Sequence, residues 1–216
     1  MTSSAAAGPA RRSAGRPSSL RTEYRELTRK RLLAAVREVL EKEDYTAATV
    51  DEIVGRAGTS RATFYLHFRS KAEAAAALLE QVTPSDRGWY TALEQAVGSR
   101  EGLRRWMDEA LHWYESHAGL LAALNEAGAV ERMVAERRSE SIERLVETMS
   151  GYLDRFEGAA RTEAQLRLQL LVRQLHQVAT DTVVQGTWRT DRELLLDVMS
   201  ASWHATLGPD GSGPRA

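Results

Sequence analysis

Thr59, Ser60, Arg61, Thr63, Tyr65, His67 and Lys71 bring hydroxyls, an imidazole and two cations into one short stretch. Side chains of these types suit nucleic acid better than they suit covalent chemistry. Arginine can donate two parallel bonds to guanine O6 and N7 in a major groove, which makes Arg61 the candidate for reading a base. Ser60 and Thr63 are short hydroxyls that reach bases or phosphates. Together with Thr49 these residues form the candidate DNA-contacting set.

Two short helices must position them. Val50, Ile53, Val54 and Ala57 recur at helical spacing, so the first helix has one apolar side. Thr49 precedes it with Glu52 three residues on, the spacing of a capping box. Gly58 is placed to end that helix, because glycine takes the left-handed conformation at little steric cost. Thr59 or Ser60 then caps the second helix. Phe64 and Phe68 are four apart and point inward, leaving Arg61, Thr63, Tyr65 and His67 on the outer face or its flanks. An apolar helix, a glycine turn and a helix with a donor-rich face make a helix-turn-helix.

The run AGTSRATFYLHFRSK, with its aromatic-Tyr-x-His-Phe core and following Ser-Lys, resembles the signature of TetR-type transcriptional regulators. The resemblance covers residues 27–82 and becomes architectural beyond them. Asp44 stands where a glycine is common, Val54 where alanine is, and Thr59 where valine is. Aspartate tolerates the left-handed conformation, and the other two changes are small. The resemblance implies that Tyr65, His67 and Lys71 touch the phosphate backbone, setting register rather than sequence. It also implies an all-α homodimer whose helical body encloses a small effector, with repression relieved when that effector binds.

Composition agrees with this class. Hydrophobic residues make up 43% and charged residues 27%, as in an ordinary soluble globular chain. With no cysteine there is no disulfide framework, thiolate metal site or cysteine nucleophile. The N-terminus lacks the apolar segment of a signal peptide, and no apolar run reaches membrane-spanning length, so a cytoplasmic protein without a membrane partner is expected. The net charge of −1 conceals an asymmetry. Residues 1–71 carry 14 Lys+Arg against 8 Asp+Glu, a net +6, and the remainder 15 against 22, a net −7. A basic head on an acidic body directs phosphate attraction to one end.

Residues 1–22, rich in Ala, Ser, Gly and Pro with Arg11, Arg12 and Arg16, read as a disordered basic arm. Its Gly15-Arg16-Pro17 could thread a minor groove. Residues 23–71 form the DNA-binding head, opening on a helix over 23–44. A fourth helix begins at Lys71 and runs to about Val82; residues 72–207 form the body, with further helices near 86–97, 101–117, 119–127, 129–157, 162–187 and 191–206, and 208–216 a disordered tail. The fold class is all-α. Trp106, Trp113, Tyr114, Asn125, Gln174 and His176 are the candidate effector-binding residues, bulky apolar groups with a few polar ones. Two strongly apolar final helices suit a homodimer interface, in which Leu195 and Val198 are candidates.

No cofactor is implied. His112 and His117 are five apart and fall on different helix faces, against a helical zinc site. Neither a Gly-rich phosphate loop nor a G-x-S-x-G elbow is present, so an enzyme is not expected. The competing reading is an architectural DNA-binding protein with a solid core. An apolar cavity behind Trp106 and Trp113 separates the two.

Overall fold

The computed structural model describes residues 17–82 and 87–208. All regular structure among the described residues is helical. The arginines of the basic arm, the break at Pro84 and the tail beyond Gly208 lie outside them.

The head is α1 (Pro17–Leu40), α2 (Val50–Ala57) and α3 (Arg61–His67). Helix α1 begins at Pro17, six residues before the predicted start, because proline fits the first helical position where no N–H bond is needed. It ends at Leu40, short of residue 44, and the chain turns through Glu41 to Thr49. Asp44 does not use the left-handed conformation there: among the described residues only Gly58, Gly158 and Gly186 have positive φ. Gly58, at φ 61° and ψ 44°, closes α2 as its position predicts. The capping box also forms. Thr49 Oγ1 accepts from the Glu52 N–H at 3.3 Å, and Glu52 Oε2 accepts from the Thr49 N–H at 2.8 Å.

Helix α4 (Lys71–Val82) leads into the body: α5 (Arg87–Ala96), α6 (Arg100–Ser116), α7 (Ala118–Val130), α8 (Arg132–Glu147), α9 (Ser150–Leu153), α10 (Gly158–Ala179) and α11 (Arg192–Leu207). The helix predicted over 129–157 is three pieces, broken near Glu131 and again at Thr148–Met149. The one predicted over 162–187 starts earlier, at Gly158, and ends in a π-helical turn, Thr180–Val184.

Two apolar cores result, and their boundary is not the head–body boundary. The first joins Leu32, Val36, Ile53, Phe64 and Phe68 of the head to Leu78 of α4 and Leu120, Leu124 of α7. The second gathers Leu93, Leu103, Met107, Leu168, Leu196 and Trp203 from α5, α6, α10 and α11. Helix α4 therefore joins head to body, since its buried alanines and leucines share one core with α1 of the head and with α7 and Val134 of α8. Tyr114 packs against both cores.

Candidate nucleic-acid interface and effector cavity

Helix α3 is anchored from beneath. Phe64 and Phe68 are buried with ring centroids 5.6 Å apart, and Arg29 of α1 lies over the Phe68 ring. Ser60 caps the helix, its Oγ accepting from the Thr63 N–H at 3.2 Å. Fixing one face in this way leaves the opposite face open. That face carries Arg61, Ala62, Tyr65 and Leu66, all exposed and spaced as i, i+4 pairs. Thr63 and His67 flank it, half-buried against a groove lined by Arg21, Arg25, Thr59 and Leu66. Burial, with Arg25 and Arg29 close by, holds the His67 imidazole below its ordinary range.

Leu66 was invisible to the motif reading, yet it is 72% exposed in the centre of this face. A large apolar side chain there is suited to thymine methyl groups. The signal was its spacing of four from Ala62 and five from Arg61.

The remaining head residues serve differently. Arg61 reaches back to Asp51 at 3.1 Å across a fully solvated gap. Such a pair is weak enough to exchange for a nucleic-acid partner. Thr49 and Thr59 hold the loops, Thr59 donating its N–H to Val54 O at 2.9 Å. Lys71 Nζ donates to Tyr45 O at 2.6 Å and Ala48 O at 2.7 Å, and sits 4.2 Å from the Tyr45 ring centre. Two of its three donors thus bind the α1–α2 loop to the start of α4. Burial lowers its pKa while Glu131, Glu126 and Glu52 oppose that shift.

In the body a cavity opens where the two cores meet. Its free space is about 90 Å³. Leu79 and Val82 of α4 and Leu121 of α7 line one side, and Trp106, Trp113 and Tyr114 of α6 the other. Trp106 is buried, its indole N–H donating to Trp89 O at 3.1 Å. Trp113 stacks on His117 with centroids 4.7 Å apart.

Of the polar candidates, Asn125 and His176 line this cavity and Gln174 does not. Residues two apart on a helix lie on nearly opposite sides, so Gln174 and His176 cannot share a face. Gln174 is exposed and accepts from the Trp203 indole at 3.1 Å instead. His176 Nδ1 and the Tyr114 hydroxyl are 2.9 Å apart. Burial, with Arg138 and Arg173 nearby, pushes the His176 imidazole down to about 4, so it is neutral at neutral pH. Asn125 donates to Thr180 Oγ1 of the π-helical turn at 3.4 Å, and its Oδ1 is buried without a partner. Sequence reasoning missed Arg138, which also lines the cavity. It stands in the run ERRSESIER, which reads as a solvated helix face.

These features can be set beside known proteins. Residues 32–81 match the family described as bacterial regulatory proteins, tetR family. Over those residues the chain matches the DNA-binding domain of TetR-type regulators. A TetR-family structure from Mesorhizobium loti superposes with a TM-score of 0.63 at 17% identity, covering 85% of this chain and 98% of that one. One from Streptomyces coelicolor gives 0.64 at 21%, covering 84% and 80%. In sequence, the HTH-type transcriptional activator FasR of Mycolicibacterium smegmatis is 40% identical over 81 residues, which is 37% of each protein. The helix-turn-helix head and helical body of the fold are thus those of TetR-type structures.

Proposed function

We propose that this TetR-type protein is a ligand-responsive transcriptional regulator that binds operator DNA as a homodimer. The observation that carries the reading is the outward face of α3, where Arg61, Tyr65 and Leu66 stand exposed on a helix anchored by Phe64 and Phe68. A rigid helix with free donors and one apolar contact is what direct readout in a major groove needs. Thr49, Thr59, Ser60, Thr63, His67 and Lys71 complete the contact set, His67 and Lys71 towards phosphates. The net +6 of residues 1–71 attracts the duplex.

The dimer forms through α10 and α11. Leu166 and Leu170 on the first, and Leu194 and Val198 on the second, are large apolar residues left exposed one helical turn apart. Exposed apolar faces of this kind mark association surfaces.

The cavity supplies regulation. Its C-terminal α4 residues, Leu79 and Val82, share a helix with Lys71, which clamps the loop ahead of α2. Ligand sites for drug-sized molecules occupy roughly 300–1,000 Å³, well above the 90 Å³ present. An effector must therefore push its walls apart, and α4 carries that displacement to the head. The unliganded arrangement is the DNA-binding one, and the effector favours another by its differential affinity for the two. We assign repression on this ground, with release on effector binding. The open cavity also speaks for an effector over a purely architectural role.

Selection of bound sequences from random DNA tests the first part. It is expected to yield inverted half-sites about 34 Å apart; unenriched sequence would refute specific readout. In a reconstituted transcription assay from the selected operator, the protein should lower transcript and an effector restore it. Transcript that rises when the protein is added would make it an activator, the activity by which FasR is named.

A further inference from the structure

Arg138 is the anomaly of the cavity. Its neighbour Arg137 meets Glu80 at 2.8 Å and Glu140 at 3.2 Å on the outside of α8. Arg138 turns inward, where desolvation lowers its pKa and the only opposing influence is the Tyr114 hydroxyl. One bond is made, from Nη2 to Leu124 O at 2.9 Å, while Nε is buried without an acceptor. No carboxylate among the described residues forms an ion pair with it. A guanidinium has five donors, and a half-buried cation without a counter-charge, its Nε fully buried, is costly unless something compensates it. The neutral His176 beside it adds no charge, and Asn125 Oδ1 is a second buried group without a partner. Apart from Ser141 and the hydroxyls of Tyr90 and Tyr114, the rest of the wall is apolar, with Trp89, Trp106, Leu121, Ile142 and Leu145.

Building on the effector reading above, we propose that the cavity takes an apolar carboxylic acid as its anion, the carboxylate on the Nε side of Arg138 and the hydrocarbon against Trp106 and Ile142. A single guanidinium matches a single negative charge, and a planar carboxylate can take two of its parallel donors. The hydrocarbon gains by leaving water. A cationic or purely apolar compound leaves Arg138 uncompensated.

The test titrates the full-length protein with octanoate, 1-octanol and octylamine, following tryptophan fluorescence, since Trp89, Trp106 and Trp113 line the site. Octanoate is expected to bind about ten- to a hundredfold more tightly than 1-octanol, the range for a hydrogen bond to a charged group, and octylamine weakest. Arg138→Gln should abolish the advantage of octanoate while leaving 1-octanol unchanged, and Arg138→Lys should keep part of it. Should Arg138→Gln fail to fold, the wild-type series still decides. If 1-octanol matches octanoate in the wild type, or the advantage survives in a folded Arg138→Gln, the anion inference is overturned and the cavity reading stands. If none of the three probes perturbs the tryptophans, the cavity is no effector site and both fall.

Discussion

Arg61 stands solvated, bonded to Tyr65 and paired with Asp51, both of them exposed, so truncating it leaves the fold alone and removes base contacts directly. Arg61→Ala should weaken operator binding by about 1–3 kcal/mol and relax preference at one base pair per half-site. Competition gel shifts against random DNA check this; an equal loss on both would remove its reading role. His176 makes a pH prediction. Its folded pKa of about 4 lies below the unfolded value of about 6.5. Between these values the unfolded chain holds the proton and the folded one does not. Stability is therefore complete above about pH 6.5 and falls as pH drops towards about 4, by roughly 3 kcal/mol from this group. Urea unfolding of wild type and His176→Gln at pH 7 and pH 4.5 should show a smaller decline in the variant, and parallel declines would contradict it. The residues that the sequence revealed are those whose roles are local. Ser60 caps its own helix and Phe64 sits four from Phe68. Arg138 and Gln174 depend on which way α8 and α10 roll against distant partners, which neighbours in sequence do not encode.

At the scale of elements, the head was legible because each turn signal acts within a few residues. Gly58 stops α2, Thr49 and Glu52 start it, and Lys71–Val82 has its predicted ends. The α8–α9 break was not legible, since no glycine or proline marks Thr148–Met149. Nor was the π-helical turn, whose extra residue shows only in its hydrogen bonds. Thr49→Ala removes the cap of α2 and should cost about 1 kcal/mol of head stability, seen as faster amide exchange in α2 with α6 unaffected. Lys71 tests the joint between elements. Losing both carbonyl bonds in Lys71→Ala should cost about 1–2 kcal/mol once solvent competition is allowed for, and loosen the loop around Tyr45 and Ala48. If its third donor also meets a phosphate, affinity should drop for all sequences alike and the salt slope shrink by about 1. A weaker complex with an unchanged slope would confine Lys71 to bracing.

At the scale of the whole molecule, the proposed reading requires two copies, because one α3 meets only a few base pairs and a monomer cannot fix the half-site spacing. Apolar content alone made Leu195 and Val198 equal candidates for the interface. Their burial separates them. Leu195 is 8% exposed and packs in the second core, whereas Val198 is 60% exposed and has Leu194 one turn before it. On α10, Leu166 and Leu170 are exposed in the same way. Val198→Asp and Leu194→Asp should therefore give folded monomers that lose operator affinity. Leu195→Asp should instead collapse the body by burying a charge without a partner. Arg104, bonded to Glu193 and Asp197, and Arg192, bonded to Asp108 and Glu115, hold α11 on α6 in either case. Sedimentation, circular dichroism and gel shifts on the three variants separate the outcomes. A Val198→Asp protein that remains dimeric would place the interface elsewhere, and a monomer with wild-type operator affinity would mean that pairing two heads is not what makes recognition specific.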